Sequence, residues 1–333
     1  MDGLKFSICL TTYNAGFLID RALKDILRQT FKNYEVIISD NASTDNTREI
    51  VESFGDARFK YFRNATNLYY PANLNLCLQR AQGDIIFLMS PKSRISPNAL
   101  EQTYKAFLLS EDVGAVTRPY YWFGDNLSHV VRAKNRFAKK GDLLVSVHDD
   151  PQVIIEVFKT VDNPAGLAFR KKYLDIPFHQ DSFVEFIYPF ASILKKHKVV
   201  LLKKYTMACP AWVYSGSHDP IVYKKSPMQS WVDMFNMVFR EPEFRVLRER
   251  CIRDFVAVNY VGLAQVRNYG GFKTLVREIF QLIRYRKANL FNFKFWIFSI
   301  GSLLIPAFFL KHLVIFFKKG VNPKFLKNIR LEV

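Results

Sequence analysis

Apolar positions in the first part of the chain switch between two periods. Phe6 to Leu10 is a β-type apolar run that ends in the polar Thr11-Thr12-Tyr13-Asn14. Leu18, Ala22, Leu23, Ile26 and Leu27 then recur at helical spacing up to Gln29. Val36-Ile37-Ile38 is a second short strand, and Asp40-Asn41-Ala42-Ser43-Thr44-Asp45 after it is turn chemistry, with Ser43 or Thr44 placed to cap the helix carrying Ile50 and Val51. The spacing predicts a third strand over 59–63, a helix over 72–81, a fourth strand over 85–88 behind Gly83-Asp84, and a helix over 97–109. Strand–helix units with continuous apolar strands predict a parallel, doubly wound α/β sheet flanked by helices, with ligands outside the carboxyl ends of its strands. Three polar segments fall there: Thr11–Asn14, Asp40–Asp45 and Met89–Ser93.

Beyond residue 113 the pattern is less regular. A strand pair is expected around the turn Gly124-Asp125-Asn126, a helix near 183–196 and a strand at 199–202. After Pro227 the text is helical, with a break at Gly270-Gly271. This organisation predicts an α/β domain over 1–225, a helical extension over 226–288, and a basic, apolar segment over 289–333.

Composition narrows the function classes. The 333 residues are 49% hydrophobic, ample for a sizeable core, and the net charge of +18 favours anionic partners such as phosphorylated small molecules or acidic lipid. No recognisable nucleic-acid motif accompanies that charge, so nucleic acid is not expected as a partner. Cys9, Cys77, Cys209 and Cys251 lack metal or redox spacing, which suits a reducing compartment, and Met1-Asp2-Gly3 opens without the basic region of a secretory signal.

Four motifs in order, Thr12-Tyr13-Asn14, Asp40 to Thr47, Arg63-Asn64 with Asn67 and Asn73, and Gly83-Asp84-Ile85-Ile86, resemble family 2 glycosyltransferases of the GT-A fold. The resemblance implies a GT-A type mixed sheet followed by a helical C-terminal region. It also implies transfer of a sugar from a nucleotide-diphosphate donor to a glycan or lipid-linked acceptor, as in polysaccharide assembly. It carries the base-recognition role to Asp40 and a loop-holding role to Asn73. Thr11, Tyr13, Asn14, Asn41, Ser90 and Lys92 complete the expected donor site. Asp45 reads equally as a helix cap, and Asn14 as a turn residue.

Two departures follow. The family holds Mg²⁺ or Mn²⁺ with carboxylates after the fourth strand, where this chain reads Leu88-Met89-Ser90-Pro91-Lys92-Ser93-Arg94. No metal ligand is expected there, and Lys92 or Arg94 is a candidate to neutralise the diphosphate. The family's Glu-Asp pair, whose carboxylate serves as the base of an inverting transfer, corresponds to Glu185-Phe186; Glu185, Asp181 and then His179 are the candidates, with Asp181 or Ser182 equally a cap. A catalytically impaired pseudoenzyme that binds or scaffolds is the alternative function. With no Gln-x-x-Arg-Trp motif, single-sugar addition is expected rather than polymerisation.

The stretch 295–310 is uncharged and aromatic-rich but short for a spanning helix, Pro306 interrupts it, and Arg284, Arg286, Lys287, Lys294, Lys311, Lys318 and Lys319 surround it. It suits a helix in the interface of an acidic membrane surface, peripheral or monotopic, on the cytoplasmic face. A tilted or re-entrant insertion and a buried core helix are the competing forms.

Overall fold

The computed structural model describes residues 3–133, 141–181, 183–211, 223, 225–310, 326 and 329–331. The alternating first part forms β1 (Phe6–Thr12), α1 (Gly16–Leu27), β2 (Tyr34–Asp40), α2 (Thr47–Ser53), β3 (Phe59–Arg63), α3 (Tyr69–Arg80) and β4 (Ile85–Met89). Next come β5 (Arg94–Ile95), α4 (Ala99–Phe107), β6 (Val113–Thr117), β7 (Tyr121–Phe123), β8 (Val130–Ala133), β9 (Leu143–Val145), α5 (Pro151–Phe158) and β10 (Ala168–Arg170). The remainder is α6 (Ile187–Lys196), β11 (Lys198–Leu201), β12 (Met207–Pro210), α7 (Pro227–Val238), α8 (Arg245–Asp254), α9 (Gly262–Tyr269), α10 (Gly271–Tyr285) and α11 (Phe293–Leu304).

Eight strands make a mixed sheet in the order β3-β2-β1-β4-β10-β6-β11-β9, and β5-β12-β7-β8 form a smaller one. β1 pairs in parallel with both β2 and β4, with Leu10 opposite Ile38 on one side and Met89 on the other. The chain thus winds outward from β1 through β2 to β3, then α3 returns it to the other side of β1. β10 runs antiparallel between β4 and β6, so those two point the same way. The expected pair around Gly124-Asp125-Asn126 is the antiparallel β7–β8.

Alternation along each strand sends side chains to opposite faces. Phe6, Ile8 and Leu10 join Val36, Ile38, Ile85 and Phe87 in a core under α1 and α4. Cys9, Ile37, Ile86 and Leu88 face the other way, into a larger core with α3, α5, α6 and the C-terminal helices. All four cysteines are buried free thiols. The helical region continues across residue 289 without a break: Asn289 is fully buried, accepts from Tyr260 and Arg286, and donates to the carbonyls of Ala257 and Leu282. Phe295 is likewise fully buried. α11 ends at Leu304, with Ile305 extended before Pro306, which lacks the amide hydrogen needed to continue the helix. Leu326, Ile329 and Leu331 pack against Tyr121, Phe123 and Ala208 of the smaller sheet.

A polar link holds β1 to β2 from below. Glu35, 2% exposed, accepts from Ser7 Oγ, the Gln82 amide and Lys60, with Lys5 also within 3.4 Å. Burial alone would push its carboxyl up, but Lys60, Ser7, Gln82 and Lys5 together hold it down at about 2. The stabilisation is therefore present above the ordinary glutamate range and is lost as pH falls through about 2. Denaturant titrations across pH should show Glu35→Gln less stable by about 1–3 kcal/mol at neutral pH, with a shallower decline on the acid side. An unchanged acid limb would contradict this account.

Candidate active site

The reversal of strand order on either side of β1 leaves a crevice beyond the carboxyl ends of β1 and β4, where no connecting helix covers the sheet. A cleft of about 460 Å³ lies there, lined by Thr11, Thr12, Tyr13, Asn14, Ala15, Phe17, Leu18, Ser90, Pro91 and Lys92. Five of the residues expected at the donor site, Thr11, Tyr13, Asn14, Ser90 and Lys92, are thus brought together in one wall-and-floor arrangement. Tyr13 is 50% exposed, which leaves an aromatic face open to a ligand.

Asp40, Asn41 and Asn73 are placed differently. Asp40 sits at the end of β2 in register with Thr12, beside the Tyr13 loop as expected, but is fully buried. One of its oxygens accepts from the Ser43 amide and hydroxyl, the other from the Tyr61 hydroxyl. Asn73 bonds Ser39 through both ends of its amide and accepts from Asn64, while Asn41 accepts from Asn64 and the Leu68 amide and donates to Asn67. In this conformation the three residues form a network behind the cleft rather than its surface.

That network shapes the cleft loop. Ser43 Oγ, fixed by Asp40, accepts from the Asn14 amide at 2.8 Å, and Asn14 Oδ1 accepts from the Thr44 amide at 2.8 Å. Asn14 adopts a left-handed φ of 46°, a conformation asparagine tolerates better than most residues. Ser43 and Thr44 are therefore occupied by the β1 loop and do not cap α2 as expected. The N-cap position is Asn46, without a side-chain cap bond, while Asp45 accepts from the amide and hydroxyl of Thr47, the first residue of α2, through Oδ1 and from the Gly16 amide, at the start of α1, through Oδ2. Burial works against its ionisation, but the Thr47 and Gly16 bonds outweigh that and lower its pKa. Asn67 and Asn41 similarly accept from Tyr69 and Leu68, which explains why α3 starts three residues before the position its apolar spacing predicts.

The two cations after β4 have separate fates. Arg94 makes a bidentate pair with Asp25 of α1, at 2.5 and 2.8 Å, and so belongs to the scaffold. Lys92 lines the cleft, and no carboxylate pairs with it among the described residues. Burial lowers its pKa, with a small opposing effect from Cys209. Thr12 Oγ1, in the same cleft, is buried without a hydrogen-bond partner.

Of the candidate bases, Glu185 is 5% exposed, with Oε2 buried and unpartnered, and burial raises its pKa well above the usual range. Tyr70 of α3 is packed against the larger core, and burial, then the Glu185 charge, push its phenol up. Asp181 is spent elsewhere, on the Phe183 amide and on a 2.7 Å ion pair with Lys225. Ser182 lies outside the described residues. His179 stacks on Tyr188 and uses Nδ1 to accept from the Asp181 amide. Tyr70 and Tyr61 were not singled out from sequence, and Thr12 stood in the first motif without a role of its own. Tyr70 and Tyr61 stand in no motif, and their relevance comes only from what folding places beside them.

A divalent cation requires hard oxygen ligands. The segment after β4 presents Ser90, Pro91, Lys92 and Ser93, and among the described residues no group of three His, Cys, Asp or Glu side chains is placed to hold a metal ion. An ammonium at the mouth of β4 repels such an ion, so these residues do not fit it.

Comparison with known proteins agrees with this geometry. Residues 7–157 match the family described as Glycosyl transferase family 2. A Haemophilus influenzae protein named as a glycosyltransferase is 25% identical over 264 residues, 78% of this chain and 97% of its own length. The GalNAc(5)-diNAcBac-PP-undecaprenol beta-1,3-glucosyltransferase of Campylobacter jejuni is 33% identical over 99 residues, 29% of this chain. Relatives at this higher identity are matched over only about a third of their length. The UDP complex of S. aureus TarS 1–349 superposes with a TM-score of 0.60 at 16% identity, covering 96% of this chain and 93% of that one. The sheet with its crevice between β1 and β4 is a GT-A fold, and residues 7–157 are similar to glycosyl transferase family 2.

Proposed function

We propose that the chain transfers a sugar from a nucleoside-diphosphate donor to a membrane-proximal or lipid-linked glycan, with inversion at the anomeric carbon. The observation that carries this reading is the cleft at the switch point, which brings Thr11, Tyr13, Asn14, Ser90 and Lys92 together in a chain that also buries Glu185 with its Oε2 unpartnered. The Campylobacter relative, named for an undecaprenol-diphosphate glycan, and the UDP-bound TarS structure support the acceptor and donor classes.

In the proposed reaction the acceptor oxygen forms a bond to the anomeric carbon while the bond from that carbon to the diphosphate oxygen breaks. The diphosphate leaves with the electron pair, and the acceptor's proton passes to the Glu185 carboxylate. A carboxylate with a raised pKa is a stronger base, and the same desolvation keeps bulk water from competing for the sugar. Asp40, Asn41 and Asn73 act by positioning the loops that carry Tyr13 and Asn14. Incubation of the full chain with a panel of nucleotide sugars and a membrane-lipid extract should give a glycosylated product from one donor. Glu185→Gln should lower kcat by about 10²–10⁴-fold with donor KM unchanged. The same variant should be the more stable at neutral pH, because a carboxyl whose folded pKa is raised stabilises the fold below its ordinary range and loses that contribution as pH rises. Donor binding without transfer to any acceptor would favour the binding-protein alternative.

The acceptor class is also supported by α11. Its inner face buries Phe295, Ser299 and Ser302, while Phe293, Ile297, Ile300 and Leu304 on the outer face, with Phe291 before it, are exposed, Phe291 at 92%. No described helix is long and apolar enough to cross a membrane. From Ile279 to Leu331 the sequence has no acidic residue, while Arg284, Arg286, Lys287 and Lys294 flank the exposed face. The proposed contact is with an acidic lipid surface, aromatic side chains entering the acyl boundary and cations meeting phosphates at about 1 kcal/mol each. Residues 311–319, with three of the expected lysines, lie outside the described residues. Flotation with vesicles should show binding that increases with acidic lipid and weakens only partly in high salt. Replacing Phe293, Ile297 and Ile300 together by serine should abolish it without loss of fold, since all three are on the outer face. Equal flotation of wild type and variant would exclude this surface.

A further inference from the structure

We propose that Lys92 is the fixed cation that meets the donor's diphosphate, in the position where a divalent ion would otherwise stand; this rests on the donor reading above. Four observations lead there. Lys92 follows β4, whose parallel neighbour is β1, so it faces the crevice from the side opposite Tyr13 and Asn14. Arg94, two residues on, is committed to Asp25 and cannot serve. Lys92 has no carboxylate partner among the described residues. Finally, Thr12 Oγ1 is buried in the same cleft with no partner of its own, although its residue is only 3% exposed.

An isolated cation withdrawn from water is unfavourable unless an anion completes it. The depressed pKa of Lys92 expresses that cost. Cys209 of β12, the titratable neighbour, does not supply the missing charge, because burial raises its thiol pKa and keeps it neutral; Ser93 and Asn163 occupy its sulfur. A diphosphate would supply it, offering oxygens to the ammonium and to the Thr12 hydroxyl together. Unlike a bound ion, a lysine is present before the donor arrives and is not removed by a chelator. It also supplies one positive charge instead of two, so it binds the leaving group by a charge-assisted hydrogen bond and not by chelation.

The test is calorimetric titration of the full chain with UDP, GDP, dTDP and ADP, each beside its own nucleoside, in EDTA and in Mg²⁺ or Mn²⁺. The preferred diphosphate should bind in EDTA within about twofold of its affinity with metal. Lys92→Met should weaken that diphosphate by about tenfold or more, the usual effect of losing a charge-assisted bond, and leave the nucleoside unchanged. Lys92→Arg, which keeps the charge, should retain most of the affinity. Loss of diphosphate binding in EDTA with Lys92→Met unaffected would overturn the assignment while leaving the donor reading intact. Equal loss of nucleoside and diphosphate in Lys92→Met, without recovery in Lys92→Arg, would make the side chain structural and also overturn it. A wild-type chain that binds none of the diphosphates would overturn the donor reading itself, and this assignment with it.

Discussion

The parallel pairing of β1 with β2 on one side and β4 on the other is the constraint on which the site depends. Parallel strands need a crossover, and crossovers on opposite sides of β1 carry their helices away from each other. What remains between them is a gap bounded by the polar ends of two strands. Thr11 to Asn14 and Ser90 to Lys92 come together because hydrogen-bond register fixes where each strand ends, although almost eighty residues separate them in the chain. Away from the strand ends both faces of the sheet are covered mainly by apolar side chains, so the strand ends are where polar groups can meet solvent or a ligand.

Holding that gap open requires backbone conformations that short loops do not adopt on their own. Asn14, Ala42 and Tyr69 all have positive φ, and all three flank the cleft or the network behind it. Strained loop positions of this kind persist when neighbouring contacts over-determine them. Asp40 does so from a fully buried position, through Ser43 and Tyr61, and Asp45 joins the first turns of two helices. The carboxylates of this region are used to build the scaffold. The electrostatic groups left without partners are of another kind: an ammonium at Lys92 and a desolvated carboxyl at Glu185.

The helical C-terminal region shows the same economy at a larger scale. α11 is apolar around its circumference, yet only one face is covered. The buried face ties it to α9 and α10 through Phe295 and through Asn289 just before it, so the helix is part of the fold and also presents an uncovered surface. The core reading holds for one side of α11, and the surface proposed to meet lipid is the other side of the same helix.

The sequence by itself determined the elements and their class. Period-two and period-3.6 patterns located β1 to β4 and the helices between them within a few residues, because burial on one or both faces is a local property of side-chain spacing. It also named five of the ten residues that line the cleft, since the end of an apolar strand in a doubly wound sheet is itself a position in the fold. Tertiary structure alone decided which polar groups are free. Nothing in the order Lys92-Ser93-Arg94 says that Arg94 finds Asp25, 69 residues earlier, while Lys92 finds no carboxylate. Nothing near Asp181 says that Lys225 neutralises it, or near Glu185 that its Oε2 is buried without a partner. Hydrogen bonds and ion pairs act over about 3 Å, and which groups come that close is settled by strand register and helix packing across the whole chain.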